Sequence, residues 1–348
     1  MRQEVITLNE EREVTLTAYI QGCSGEFRRA PQRPAVLILP GGGYAMCSER
    51  EADPVAFAYL KAGFQAFVLR YSVGEHAVWP NPLDDYEQAM TLIRSCAEEW
   101  GVCPNKVAAV GFSAGGHLAG VAATTAKERP DAAVLGYAAL GGCGTPANTG
   151  APAVASAVDD LTPPCFVFAS ASDTLVPVGN SIEFIGALAQ AGISFESHLY
   201  AFAPHGFSTG DAFLEDPSQL CSRAPRWVED SIAWLGDVLG TPGEDGMGEP
   251  RCNRWLTADD APYLSLDCTV GHVAACPEAR GALGGIPGLS NLLELMGGGR
   301  GSGGGQGASG LAGRVSLRTV LRYADVSDEE TERLGRELSS IEYRRLGE

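Results

Sequence analysis

The chain has 348 residues, of which 45% are hydrophobic, and its 25 basic and 43 acidic side chains give a formal net charge of −18. Such an excess of negative charge disfavours partners that are bound through their phosphates, so we expect no nucleic-acid partner. No run of the sequence reaches the roughly 18 apolar residues that a spanning helix requires, so we expect no membrane partner either.

Cysteine usage and the start of the sequence bear on the cellular compartment. Residues 1–16 carry charges where a secretory signal would carry an apolar run. None of the ten cysteines forms a C-x-x-C motif, which favours free and mostly buried thiols. We therefore expect a cytoplasmic protein, in which Cys47, close to a glycine-rich loop, at most lines a site without doing chemistry.

The first strands of the sequence are of two kinds. Residues 5–8 and 13–20 alternate apolar and polar side chains, which predicts an antiparallel hairpin at a sheet edge. Five later segments are nearly continuous apolar runs, typical of parallel strands that helices bury on both faces. They are residues 35–39, 66–69, 107–110, 132–138 and 165–169.

Helical patterns separate these strands. They cover residues 53–62, 83–100, 114–127 and 178–191, and a last strand at 194–200 precedes a last helix at 224–239. This alternation predicts an α/β protein in which residues 1–240 form a doubly wound, mostly parallel sheet. Ligands of such sheets bind at the carboxyl ends of the strands.

The composition changes after residue 240. Residues 241–250 predict a linker from their Gly, Pro and acidic content, and the Gly-rich stretch at 297–310 is predicted to be disordered. Ser327 and Glu330 match a capping box before a helix with Leu334, Leu338 and Ile341 on one face. We therefore expect 251–348 to be a small helical C-terminal appendage without catalytic groups, which docks on the first domain or on a second copy of the chain.

The strongest chemical signal is the G-x-S-x-G sequence at 111–115, which directly follows a predicted strand and precedes a predicted helix. A tight strand-to-helix turn has little space for side chains beside the serine, so glycines flank it and the Ser113 hydroxyl is exposed at a helix N-terminus. This context predicts Ser113 as a nucleophile.

A second signal is the sequence Pro40-Gly-Gly-Gly-Tyr44, which follows an earlier predicted strand. Glycines allow backbone N–H groups to point into a cavity, where they can bind the oxygen that becomes negative when a serine attacks an ester carbonyl. Enzymes with a nucleophile elbow place their oxyanion loop after such a strand.

An acid and a base are then expected in the order Ser, Asp, His. Asp173 follows the apolar strand 165–169 at its carboxyl end, whereas Asp159 and Asp160 precede that strand and are weaker candidates. Of the five histidines, only His205 follows the acid on a loop after the last strand, and an imidazole can accept and return the serine proton.

The segments LPGGGY at 39–44, VGFSAGGHLA at 110–119, SDTLVPVGNS at 172–181 and PHGF at 204–207 resemble the α/β-hydrolase esterases of the acetylxylan/feruloyl esterase-like (BD-FAE-like) group. The resemblance covers residues 30–240. It implies Ser113 as nucleophile, His205 as general base and Asp173 as the acid that orients it. It also implies an oxyanion hole formed by the N–H groups of Gly42, Gly43 and Ala114. Pro40 stands where many relatives have His.

Residues 140–164 are rich in Gly, Ala and Pro and too few to build the helical cap that lipases of this fold carry, so we expect an open cleft. An open cleft suits short-chain acyl esters of a large alcohol such as a sugar or a xylan-derived oligosaccharide. Tyr44 and Trp79 are the candidate substrate-binding residues. We expect no metal and no cofactor. Two alternatives remain, a serine peptidase of the prolyl-oligopeptidase type and a non-catalytic binding protein on the same fold.

Overall fold

The computed structural model describes residues 1–23, 25, 30–141, 150–243, 246–284, 313–324 and 326–343. The chain divides into two compact units, Met1–Arg254 and Trp255–Glu348. The division falls after Arg254. The sequence instead predicts a first domain that ends at 240 and a linker at 241–250. The predicted disordered stretch at 297–310 lies outside the described residues. No helix in the described ranges is long and apolar enough to cross a membrane.

The first unit is built on one sheet of eight strands. The strands are β1 (Arg2–Asn9), β2 (Val14–Ile20), β3 (Arg33–Leu39), β4 (Gln65–Arg70), β5 (Val102–Phe112), β6 (Ala132–Gly136), β7 (Cys165–Ser170) and β8 (Phe195–Tyr200). Their spatial order is β1-β2-β4-β3-β5-β6-β7-β8. The pairs β1–β2 and β2–β4 are antiparallel, and all the other pairs, from β4–β3 onwards, are parallel. The predicted α/β class, the edge hairpin and the parallel sheet are confirmed.

Six α-helices in the described part of the first unit flank the sheet. They are α1 (Asp53–Lys61), α2 (Asn81–Ser95), α3 (Ala97–Trp100), α4 (Ser113–Thr125), α5 (Gly179–Gln190) and α6 (Trp227–Leu239). Because helices cover both faces, every residue of β3, β6 and β7 is buried, which explains their continuous apolar runs.

The predicted helix at 83–100 is two helices in the structure. It is interrupted at Cys96, and its second piece ends at Gly101, which has a φ of 61° and takes the left-handed conformation that closes many helices. β5 then begins at once at Val102, earlier than the apolar run at 107–110 indicates, because its first residues are partly polar and exposed.

The segment after α6 belongs to the first unit. Within the predicted linker, β9 (Pro242–Gly243) pairs with β10 (Gly246–Met247). The N–H groups of Arg251 and Cys252 donate to the carbonyl oxygen of Asp237, and the carbonyl of Arg254 accepts from Ser194. These bonds fix residues 251–254 to the sheet domain.

The second unit contains the helices α7 (Val270–Ala275), α8 (Pro277–Gly284), α9 (Leu317–Tyr323) and α10 (Asp328–Leu338). The Ser327 hydroxyl caps α10 by accepting from the N–H of Glu330, and it donates to the Glu330 carboxylate at 3.2 Å. Leu334 and Leu338 are buried in the core of this unit, as the sequence predicts, whereas Ile341 packs against that core from beyond the end of the helix at Leu338.

Candidate active site

Ser113 occupies the turn between β5 and α4. Its φ is 51°, a left-handed conformation that a non-glycine residue rarely adopts. A β-carbon on Gly111 would overlap the carbonyl of Gly115, and one on Gly115 would overlap the carbonyl of Leu39 at the end of β3. The G-x-S-x-G spacing therefore follows from the packing, since both glycines permit the sharp turn that presents the Ser113 hydroxyl.

Two hydrogen bonds connect Ser113, His205 and Asp173. His205 Nε2 lies 2.9 Å from Ser113 Oγ, and His205 Nδ1 lies 2.7 Å from Asp173 Oδ2. Asp173 follows β7, and His205 follows the neighbouring parallel strand β8. Both residues therefore lie at the edge of the sheet formed by the carboxyl ends of the strands, where Ser113 follows β5. With the imidazole proton on Nδ1, Nε2 is free to accept the serine proton.

The carboxyl group of Asp173 is held in its ionised form. Burial alone would raise its pKa, but hydrogen bonds from His205 and from the N–H groups of Val176 and Leu175 outweigh burial and hold the pKa below its ordinary value. A charged Asp173 orients the His205 ring and stabilises the imidazolium that forms when His205 takes a proton.

The loop that carries His205 is fixed to the loop that carries Asp173. The N–H of Ala203 donates to Ser170 Oγ at 2.8 Å, and Ser172 Oγ donates to the carbonyl of Ala203 at 3.4 Å. The ring of Tyr137 meets the His205 ring edge-on, with 5.2 Å between their centroids. The imidazole is thus positioned by contacts on several sides.

The glycine loop after β3 lies beside Ser113. Gly42 and Gly43 have φ angles of 125° and 63°, which side chains disfavour, and both line the cleft with Ser113. The N–H of Gly41 donates to the Glu51 carboxylate at 2.7 Å, whereas the N–H groups of Gly42 and Gly43 have no acceptor among the described residues. Ala114 follows Ser113 as the second residue of α4, so its N–H lies at a helix N-terminus.

These groups line a cleft of about 760 Å³. Its aliphatic side chains are Met46, Ala139, Leu175 and Val176, and its charged side chains are Glu49, Arg50 and Glu51. The wall of the cleft therefore combines aliphatic and charged side chains with Ser113 and His205.

The two predicted substrate-binding residues do not line this cleft. The Tyr44 side chain is 1% exposed, and its hydroxyl lies 2.8 Å from His117 Nδ1 in the interior. Trp79 is half-buried, does not belong to the cleft lining, and has its ring 6.0 Å from the His117 ring. The expectation that Tyr44 contacts substrate is therefore wrong, because its ring is buried beside the rings of Tyr71 and His117.

Several other candidate residues lie away from the catalytic groups or have structural partners of their own. Asp159 forms an ion pair with Arg129, and His198 lies 2.8 Å from the Glu196 carboxylate. Burial lowers the pKa of His117, which keeps its imidazole neutral. Cys47 does not line the cleft, and burial raises the pKa of its thiol to about 12.

Glu51 is a cleft residue that the sequence analysis missed. It lies in a short 3-10 helix, Glu49–Glu51, and is 3% exposed. In the sequence it is one of several charged residues in SEREAD at 48–53, a pattern typical of a solvated surface. The one available signal is its position just after the glycine loop.

One group of described side chains could offer ligands to a metal, and it belongs to the second unit. Ligand atoms of Asp259, Cys268 and His272 lie within 4.8 Å of one another. Asp259 already accepts hydrogen bonds from the N–H and hydroxyl of Thr269, and Cys268 Sγ accepts from Ser265. None of the three lines the cleft at Ser113.

Comparison with known proteins agrees with this geometry. Residues 27–141 match the protein family described as BD-FAE. The solved structure of MGS-M1, an alpha/beta hydrolase enzyme from a Medee basin deep-sea metagenome library, is 43% identical, with a TM-score of 0.64 over 69% of this chain and 98% of that one. The chain belongs to the α/β-hydrolase family. The BD-FAE match agrees with the resemblance of its motifs to that esterase group.

Two further relatives of the hydrolase have names that refer to acetyl esters. An acetylxylan esterase of Xylanibacter ruminicola is 31% identical over 247 residues, which are 63% of this chain and 51% of that protein. The structure of an acetyl ester-xyloside bifunctional hydrolase from Caldicellulosiruptor lactoaceticus is 27% identical, with a TM-score of 0.59, over 68% of this chain and 97% of that one. The hydrolase thus spans about half the length of the first of these relatives.

Proposed function

We propose that the hydrolase is a serine carboxylesterase that cleaves short-chain acyl esters of sugars or xylan-derived oligosaccharides. The observation that carries the proposal is the hydrogen-bonded series Asp173, His205 and Ser113 at the wall of an accessible cleft, with distances of 2.7 and 2.9 Å. Gly42 and Gly43, whose N–H groups have no acceptor among the described residues, line the same cleft.

The proposed first step acylates the enzyme. Ser113 Oγ attacks the carbonyl carbon of the ester while its proton passes to His205 Nε2. The carbonyl oxygen becomes negative and is bound by the N–H groups of Gly42, Gly43 and Ala114. The tetrahedral intermediate then collapses, the bond to the alcohol oxygen breaks, and the alcohol leaves with the proton from His205.

The proposed second step releases the acid. A water molecule gives a proton to His205 Nε2 and attacks the carbonyl carbon of the acyl-Ser113 ester. The same N–H groups bind the second oxyanion. Collapse of this intermediate breaks the bond to Ser113 Oγ, which recovers its proton from His205. Asp173 remains ionised throughout and orients the imidazole.

The lining of the cleft supports a short acyl group. Ala139 and Val176 offer a small apolar surface beside Ser113, but the outer aliphatic side chains are open to solvent, with Leu175 71% and Met46 55% exposed. A chain longer than about four carbons would leave its added methylenes in water, without the roughly 0.8 kcal/mol that each buried methylene contributes. Rates on p-nitrophenyl esters should therefore peak between two and four carbons, and a steady rise to octanoyl would refute this part.

The sugar alcohol is supported by the open side of the cleft and by the names of the acetylxylan esterase and the acetyl ester-xyloside hydrolase. The test is the release of acetate from acetylated xylo-oligosaccharides, measured beside p-nitrophenyl acetate. Wild-type protein should release acetate from both, and Ser113→Ala from neither.

A peptidase of the prolyl-oligopeptidase type is less well supported. Such an enzyme needs a carboxylate for the amine of its peptide substrate, and the two carboxylates at this cleft have partners: Glu49 binds Arg70 at 2.7 Å and Glu51 binds Gly41 and Tyr137. An aminoacyl-anilide assayed beside p-nitrophenyl acetate separates the two activities. Turnover of neither compound would indicate a non-catalytic binding protein.

For the whole protein, the proposal includes a cytoplasmic location, no cofactor, and no nucleic-acid or membrane partner. The net charge of −18 supports the exclusion of nucleic acid. The C-terminal unit is proposed to carry no catalytic group and to form a homo-oligomer. Sedimentation of the full chain and of residues 1–254 tests this, because only the full chain should assemble.

A further inference from the structure

Glu51 is a buried acid beside the catalytic groups, and both of its carboxyl oxygens have a donor. Oε2 accepts the N–H of Gly41 at 2.7 Å, and Oε1 accepts the hydroxyl of Tyr137 at 2.7 Å. The residue is 3% exposed and lines the cleft together with Ser113 and His205. Burial of a carboxyl group is unfavourable unless such bonds compensate it, so the placement requires an explanation.

The first bond fixes the glycine loop. Gly41 directly precedes the two glycines with free N–H groups, and the carbonyl of Pro40 before it accepts from Tyr71 at 2.6 Å. A β-carbon on Gly41 would lie 2.6 Å from Glu51 Oε2 and 2.9 Å from the carbonyl of Phe112. The carboxyl group therefore holds the start of the loop against the end of β5, next to Ser113.

The second bond reaches the loop of the base. The Tyr137 oxygen that donates to Glu51 also accepts the N–H of Ser208 at 3.1 Å, and Ser208 Oγ donates to the carbonyl of Arg50 at 2.5 Å. Ser208 lies on the same loop as His205, whose ring packs on the Tyr137 ring. One carboxyl group thus connects the loop of Gly42 and Gly43 with the loop of His205.

We propose that Glu51 is a positioning residue that holds the Gly42 and Gly43 N–H groups and His205 in register with Ser113, without reacting itself. The inference rests on the proposed ester hydrolysis. Donors that are fixed before the reaction stabilise an oxyanion at no cost of reorganisation, and loss of one donor costs about 10²- to 10³-fold in kcat. Release of the whole loop from its anchor should have an effect of the same order.

The pKa of Glu51 is set by burial, by its two hydrogen bonds and by two nearby basic side chains. Burial raises the pKa of Glu51, while the bonds from Tyr137 and Gly41 and the nearby His205 and Arg50 oppose the rise. In either protonation state at least one of the two donors keeps an acceptor. A glutamine has the same shape but only one acceptor oxygen, so Glu51→Gln should retain one of the two bonds.

The experiment compares an oxygen ester with its thionoester, p-nitrophenyl acetate with p-nitrophenyl thionoacetate. A thiocarbonyl sulfur accepts hydrogen bonds more weakly than oxygen, so the thionoester depends less on the oxyanion donors. We expect Glu51→Ala to lower kcat on the oxygen ester about 10²-fold, with a smaller change in KM and at least a severalfold smaller loss on the thionoester. Glu51→Gln should show the same pattern with a smaller loss.

Two further variants separate positioning from general damage. Tyr137→Phe keeps the Gly41 bond and breaks the connection to Ser208, so it should slow both esters equally. Asp131→Asn removes a half-buried carboxyl that accepts from the N–H of Val107 at 2.8 Å, before β6 at the opposite end of the sheet. It should lower thermal stability and leave both rates unchanged.

The inference is overturned if folded Glu51→Gln keeps wild-type kcat, or if its losses on the two esters are equal. If Glu51→Ala fails to fold by circular dichroism, Glu51→Gln alone decides. Failure of the proposed function has a different signature: wild-type protein would turn over neither ester, or Ser113→Ala would retain activity.

Discussion

Gly115, in the first turn of α4, packs directly on the carbonyl oxygen of Leu39 at the end of β3. A β-carbon at position 115 would overlap the carbonyls of both Leu39 and Pro40. This contact places the start of the glycine loop beside Ser113, because the loop leaves β3 at Pro40. The lack of a side chain at position 115 thus allows the glycine loop and the G-x-S-x-G turn, some seventy residues apart in the sequence, to pack against each other.

Gly115→Ala should therefore be strongly destabilising. The extra methyl group can be accommodated only by moving β3 or α4, and such overpacking costs about 1–3 kcal/mol or more. Urea denaturation measures the free energy of unfolding. Gly186→Ala in α5 is the matched control, because a β-carbon there meets nothing within 4 Å and alanine favours a helix by about 0.5–1 kcal/mol. Equal stability of the two variants would contradict this packing.

The hydrogen bonds to the Asp173 carboxylate predict a pH-dependent contribution to stability. The pKa of Asp173 in the folded protein lies below its ordinary value of about 3.9. Its contribution is therefore complete above about pH 4 and is lost as the pH falls through the lowered folded pKa. The difference in unfolding free energy between wild type and Asp173→Asn should be constant from neutral pH to about pH 5 and should shrink below pH 4.

Asp131 provides a control of opposite sign. Burial raises the pKa of its carboxyl group, although bonds from Val107 and Arg94 oppose the rise. Wild-type protein should therefore gain stability relative to Asp131→Asn as the pH falls through the raised folded pKa towards the ordinary value. Denaturation series for both variants over the same pH range check the two signs, and identical trends would refute the assignment for Asp173.

The end of the first unit predicts where the chain can be shortened. Residues 1–254 keep the bonds of Arg251 and Cys252 to Asp237 and of Arg254 to Ser194. That fragment should fold with the wild-type kcat on p-nitrophenyl acetate. A fragment of residues 1–240 lacks these bonds and should have a lower Tm. A folded 1–254 fragment whose kcat is a hundredfold lower, about 2.7 kcal/mol of barrier, would mean that the second unit completes the site.

Much of this architecture could be predicted from the sequence because its signals are local. Strands buried on both faces are continuous apolar runs in the sequence. Ser113, Asp173 and His205 could be selected because each follows the carboxyl end of a predicted strand. The sharp turn at Ser113 is encoded by Gly111 and Gly115, because a β-carbon at either position would overlap a backbone carbonyl.

The features that the sequence did not reveal depend on contacts between distant segments. Glu51 is buried because Gly41, Tyr137 and the His205 loop surround it, and nothing in its own neighbourhood distinguishes it from Glu49, which is exposed. The sequence predicts that Tyr44 binds substrate, but in the structure its φ is 58° and its buried hydroxyl lies 2.8 Å from His117 Nδ1. Side-chain direction at a positive φ cannot be predicted from periodicity.

The central claim is that Ser113 carries the acyl group, and rapid acid quenching with p-nitrophenyl acetate tests it most directly. Mass spectrometry of the quenched protein should find one acetyl group per chain, located on Ser113 by peptide sequencing, and the release of p-nitrophenol should begin with a burst of the same size. Ser113→Ala, folded by circular dichroism, should show neither. Acetyl on another residue, or wild-type turnover by Ser113→Ala, would contradict the account.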